Sequence, residues 1–133
     1  MRRIAGNPDD VTTASATELV KAIRLGALSA REVVQGHIEI LRRRAQLGIV
    51  AEDRFDAALA EAEVADRAVA DASSTDSLPP LLGVPFTVKE SSPVAGMPHT
   101  GGLASRRGCR ASVDAIAVVS APRCQAAMQS PDG

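Results

Sequence analysis

The chain has 133 residues, enough for one domain, and combines 45% hydrophobic residues with a formal net charge of −1. It holds two Phe and no Trp or Tyr, so side chains that could anchor a core or stack on bases are scarce. This near-neutral balance supplies no field for nucleic acid or an anionic membrane, and neither partner is expected.

The opening "MRRIAGNPDD" has two arginines but no apolar stretch behind them, so it does not read as a secretory leader. No run approaches the roughly 20 apolar residues of a membrane span, and a cytoplasmic chain is expected. "SATELVKAIRLG" places Ser15 and Glu18 in capping-box spacing and stops at Gly26. "SAREVVQGHIEILRRR" repeats the device with Ser29 and Glu32, and Val33, Val34, His37, Ile38 and Leu41 then form a helical stripe. His37 on that stripe reads as packed or half-exposed, and Arg42, Arg43 and Arg44 read as a solvated helix face. A third helix is expected from near Asp53, with Phe55, Leu59, Ala62 and Val69 on one side. The helical part thus covers about 15–70.

Residues 71–80, "DASSTDSLPP", read as a polar linker ended by proline. Residues 81–102 hold a strand and a loop. "LLGVPFTVKE" is short, β-rich and apolar, which predicts a strand buried on both faces, with Pro85 at its start or on an edge. "SSPVAGMPHTGG" has the Gly and Pro content of a loop that approaches something closely. "SVDAIAVVS" is expected to begin a helix capped by Ser112 and interrupted by Pro122. The tail over 120–133 shows neither periodicity and is expected to be mobile. One strand cannot make a sheet, so the chain reads as the beginning of a larger α/β domain.

Cys109 and Cys124 lack the spacing of a metal knuckle, two ligands would not close a zinc site, and His37 and His99 lie far from them in sequence. Two reduced, unpaired thiols are expected, with no metal and no cofactor.

Lys89 is the residue that the strand does not need. A buried strand has no structural use for an ammonium group, and the bland alternative is a side chain that reaches out to water. The order of "ATELVKAIRLGALSAREVV", "AEDRFDAALAEAEVADRAVA" and above all "LPPLLGVPFTVKESSPVAGMPHTGG" resembles the amidase signature family of C–N hydrolases, from about Thr17 to Val119. The resemblance implies that residues 1–133 are a single partial amidase-type domain: N-terminal helices followed by the first buried strand of an incomplete mixed sheet. It implies that Lys89 is the general base of a serine–cis-serine–lysine triad, acting on a small-molecule amide to give acid and ammonia or amine. An amine serves as a base near neutral pH only when desolvation brings its pKa below about 10.4. The triad uses no histidine, which leaves His99 a loop-packing or substrate-rim role.

Three departures accompany the resemblance. Ser92-Pro93 stands where relatives carry an apolar–acidic pair, and "RRRAQLGIVAEDR" is shorter than the usual connection. After "DAIAVV" the chain runs into "SAPRCQAAMQSPDG", and no Gly- and Ser-rich segment carrying the nucleophile and bridging serine follows. The expectation is therefore an N-terminal amidase fragment, inactive alone, of the kind a frame change or early stop would leave. Alternatives are a Ser91–Lys89 dyad, supported by strand alternation, a non-catalytic helical interaction module, and part of an amidotransferase-like subunit. Substrate identity and oligomeric state are left open.

Overall fold

The computed structural model describes residues 8–120 and 125–129. A short helix, α1 (Pro8–Thr13), leads into α2 (Ala16–Arg24) and α3 (Ala30–Arg43). Both expected capping boxes form. Ser15 Oγ accepts from the Glu18 N–H at 3.3 Å while the Glu18 carboxylate accepts from the Ser15 N–H at 2.8 Å. Helix α2 ends in a Schellman arrangement, with Gly26 N–H donating to Ile23 O at 3.0 Å and Ala27 N–H to Ala22 O at 2.9 Å. Gly26 takes φ 66° to make that turn.

The start of α3 has all four of its exposed donors satisfied. Ser29 Oγ accepts from Glu32 N–H at 3.1 Å, and the Glu32 carboxylate accepts from Ser29 N–H at 2.7 Å. The remaining two go to a residue 35 and 36 positions away, with no local cue to the pairing. Asp66, on α4 (Phe55–Asp71), accepts from Ala30 N–H at 2.6 Å and Arg31 N–H at 3.1 Å. One carboxylate thereby caps one helix and fixes its angle to another. The Ser29 N–H and hydroxyl hold the Glu32 carboxyl below the usual carboxylate range, against a small opposing effect of burial.

Packing follows from the stripes. Ile23, Val33, Val34 and Ile38 are enclosed between α2, α3 and α4. Helix α4 presents Ala58, Ala62 and Ala65, all buried, so its backbone lies close to α3. Leu59 and Val69 pack at the margin of the same cluster, and Phe55 closes one end, with the Arg42 guanidinium 5.3 Å from its ring centroid. The 71–80 segment is fastened to this layer: Arg24 donates to Leu78 O at 3.1 Å and to Pro79 O at 3.2 Å. Gly83 then passes against α2 and α3 with φ 80°, and a Cβ there would lie 2.7 Å from Ala30 Cβ.

The sheet departs most from expectation. It has three strands in the order β1 (Val50–Asp53), β3 (Gln125–Gln129), β2 (Phe86–Lys89). Strand β3 runs antiparallel to β1 and parallel to β2, so the sheet is mixed. The helical reading of 15–70 is therefore interrupted by β1, whose four residues are too few to show alternation. Residues 125–129 form a strand although the tail shows no strand pattern. Backbone groups on β1 and β2 need partners, and pairing overrides weak side-chain preference. Residues 121–124 and 130–133, with Pro122 and Cys124, lie outside the described residues. Strand β2 is not buried on both faces: β3 covers one edge, Val88 is buried, and Thr87 and Lys89 are exposed. Pro85 immediately precedes it, as expected.

The helix expected from Ser112 is shorter, α5 (Ile116–Ser120), and Ser112 does not cap it. Asp114 is engaged elsewhere, accepting from Ala95 N–H at 2.7 Å. Val88, Val94, Met97 and Val118 form a second, smaller apolar cluster beneath β2 and the loop after it. Among the described residues, no helix is long and apolar enough to cross a membrane.

Candidate active site

Lys89 is the last residue of β2, and the chain turns immediately after it. Ser92 N–H donates to Lys89 O at 2.8 Å, closing a four-residue turn. This removes the geometric ground for a Ser91–Lys89 dyad, because strand alternation ends at Lys89 and Ser91 lies within the turn. The Lys89 side chain is exposed, not enclosed by an apolar sheet.

Its neighbour is the opposite case. Glu90 is 2% exposed, the one charged residue in the buried set among those described. Its carboxylate accepts from the backbone N–H groups of Thr100 and Gly101, the latter at 2.8 Å. Burial by itself pushes the Glu90 carboxyl up. The Thr100 and Gly101 donors and the nearby charge of His99 outweigh that, so the group lies below the usual carboxylate range. His99 adds a second closure, with Nε2 donating to Ser91 O at 3.2 Å; a carbonyl only accepts, so Nε2 carries the proton. His99 therefore packs the loop, one of the two roles expected for it.

The rest of the loop is tied down in the same manner. Gly96 N–H donates to Ala111 O at 2.8 Å, Ala111 N–H to Met97 O at 3.0 Å, and His99 N–H to Cys109 O at 3.0 Å. Arg110 forks onto Glu52 of β1 at 2.9 and 2.8 Å and also donates to Gly96 O. The Glu52 carboxylate raises the Arg110 pKa by its hydrogen bonds and charge, against slight burial. The thiol of Cys109 is free and exposed.

An inventory of donors decides what this loop can do. Ser92, Ala95, Gly96, Met97, His99, Thr100, Gly101, Gly102 and Leu103 each spend their N–H on a group within the segment or on Asp114. Oxyanion stabilisation needs N–H groups aimed at the reacting oxygen and otherwise unspent. With most of its N–H groups spent in this way, the loop is a fixed border to Lys89.

His37 lies apart from this constellation. Its Nδ1 donates to Val33 O at 2.8 Å, and the ring borders a cavity of about 340 Å³ with Thr12, Ile40, Leu41, Pro85, Phe86 and Thr87. That matches a half-buried packed histidine. Among the described residues no three of His, Cys, Asp and Glu cluster as a metal site would require. Glu90, Arg110 and Asp66 were not singled out from the sequence. Only Glu90 left a trace there, as a carboxylate ending an apolar strand with glycines of a tight loop ten residues on.

Helices packed behind a mixed sheet, with a lysine at a strand end and a Gly–Pro loop locked beside it, define a class of α/β protein that the comparisons name. The chain belongs to the amidase family, whose model, described as Amidase, matches residues 33–121. It is 42% identical over 119 residues to Fatty-acid amide hydrolase 2-B of Danio rerio, covering 86% of this chain and 23% of that protein. It is 34% identical over 109 residues to Fatty-acid amide hydrolase 2 of Homo sapiens, covering 78% and 20%. A solved structure of a fatty acid amide hydrolase superposes with TM-score 0.76 at 25% identity, covering 92% of this chain and 22% of that one. A bacterial aryl acylamidase of the amidase signature family shares the fold, with TM-score 0.75 at 22% identity over 88% of this chain and 25% of that one. The chain spans between a fifth and a quarter of the length of these relatives.

Proposed function

We propose that this chain supplies the general-base lysine of an amide hydrolase, Lys89, and that the 133 residues alone do not turn over amides. The substrates of the whole enzyme are small-molecule carboxylic amides, cleaved to acid and ammonia or amine. In that reaction Lys89 takes a proton, through a bridging serine, from a nucleophilic serine, and later returns it to the leaving amine. Both serines are expected from sequence beyond the quarter shared here. The chain is read as cytoplasmic, since its two cysteines fit no disulfide framework.

The observation that carries the reading is Lys89 at the end of β2, beside a loop whose geometry is fixed and most of whose N–H donors are already used. An amide carbonyl is a poor electrophile, so an exposed lysine without an oriented nucleophile or unspent donors does not suffice.

Two measurements test this. Purified chain and its Lys89→Ala variant are assayed for ammonia release from aliphatic and aromatic amides, and neither is expected to exceed background. Turnover that disappears in the variant would show a self-sufficient site instead. Residues 33–121 are also exchanged into Fatty-acid amide hydrolase 2-B, and Lys89→Ala in that chimera is expected to lower kcat by about a hundredfold or more. An unchanged kcat would remove Lys89 from the chemistry.

A further inference from the structure

We propose that Glu90 is a positioning residue for Lys89: it clamps the neck of the 91–99 loop and so fixes the strand end from which the lysine projects. The inference rests on the reading of Lys89 as the base, and concerns how that base is held.

The neck is built from three links that converge on two residues. Glu90 takes the N–H groups of Thr100 and Gly101 on its two oxygens, and His99 Nε2 reaches Ser91 O. Residues 90–91 are thereby bound to residues 99–101. Lys89 O is held from the other direction by Ser92 N–H. Lys89 has four rotatable side-chain bonds, so the position of its amine depends first on where its Cα is anchored. The only backbone between that Cα and the clamp is one peptide unit.

The burial of the carboxylate argues for this role over incidental packing. An ionised group at 2% exposure is tolerated only when its lone pairs are met. Here they are met by two successive backbone donors, a fixed pair with no rotamer freedom. An apolar residue at position 90 would fill the space but would deprive both N–H groups of their acceptor. A neutral amide there would satisfy one and turn its own NH₂ against the other. At the strand end Lys89 is exposed and Glu90 is buried. The clamp therefore acts on the backbone without burying the lysine.

The chain contains two lysines, Lys21 and Lys89, which makes the test direct. With isotope-labelled lysine, NMR resolves the ε-methylene of Lys89 beside that of Lys21 on α2, a built-in control. In Glu90→Gln, exchange of the Thr100 and Gly101 amides is expected to rise about tenfold or more, with Val33 and Ile38 amides unchanged. The Lys89 signals should move or broaden while those of Lys21 stay. Exchange that rises with Lys89 signals unmoved would show that Glu90 holds the loop but not the lysine, and unchanged exchange would overturn the clamp itself. Should the variant not fold, acid titration of the unmodified chain makes the same test. His99 is the titratable group that faces Glu90. Because the Glu90 carboxyl lies below its ordinary range, the clamp is intact above that range and is lost as pH falls through the folded value. The two amides and Lys89 should then change with one midpoint; separate midpoints would refute the coupling. These readouts report position, whereas kcat in the chimera reports base chemistry, so each reading can fail without the other.

Discussion

In the helical layer, Ile23, Val33, Val34 and Ile38 are enclosed by three helices, and side-chain caps fasten the starts of α2 and α3. Between Lys89 and Ala111 the buried apolar set shrinks to Val94, Met97 and Ala111, and order comes from backbone donors, one buried carboxylate and an exposed Arg–Glu fork. The first region is held by non-directional burial and tolerates small shifts. The second is held by directional bonds that exist only in one geometry. The lysine sits where the two meet.

The sharpest way to break the comparison is to damage the layer. Ile38→Ala removes a fully enclosed side chain and should cost about 2–5 kcal/mol in urea unfolding, with loss of the loop as well. If the loop amides stay protected after the helices melt, the loop does not depend on the layer. A smaller effect should follow at the junction. Gly83→Ala puts a Cβ 2.7 Å from Ala30 Cβ at φ 80°, and about 1–3 kcal/mol is expected. Unaltered stability would mean that the 81–85 segment can lift off α2 and α3. The smallest of the three is Asp66→Ala, which strips two donors at the start of α3 of their acceptor and should cost about 1–2 kcal/mol. That variant should leave the Thr100 and Gly101 amides as protected as before, since a helix cap and the loop neck share no group. Coupled loss in both places would erase the distinction between the regions.

Much of the helical layer was legible because its signals are local. Ser15 with Glu18 and Ser29 with Glu32 act within three residues, and each forms the bonds its spacing implies. The place of Lys89 at the end of a short strand could be read from the neighbouring residues, whereas the loop-packing or substrate-rim role of His99 came from the family resemblance. Long-range partners could not. Nothing near Asp66 announces that it caps a helix beginning at Ala30, and nothing near Glu52 announces Arg110. The sequence of the strand Val50–Asp53, VAED, does not alternate between apolar and polar residues, and its strand form comes from pairing with β3. Expecting β2 to be covered on both faces came from treating an apolar run as a statement about burial. The run shows only that burial is possible, and with β3 on one edge the second face stays open.

The order of strands has a consequence for how the chain reaches its fold. The central strand, β3, is the last of the three described strands, and both neighbours wait for it: Val50 pairs with Gln129 and Lys89 with that same residue. During synthesis the helices can assemble early from nearby contacts, whereas β1 and β2 emerge with open edges and stay so until residues 125–129 have been made. Closing contacts of such high sequence separation is slow, and an open edge is a template for another chain. The interval between translation of Lys89 and of Gln129 is thus when nascent copies are most exposed to mispairing, and crowding on one messenger would lengthen the odds against a solitary fold.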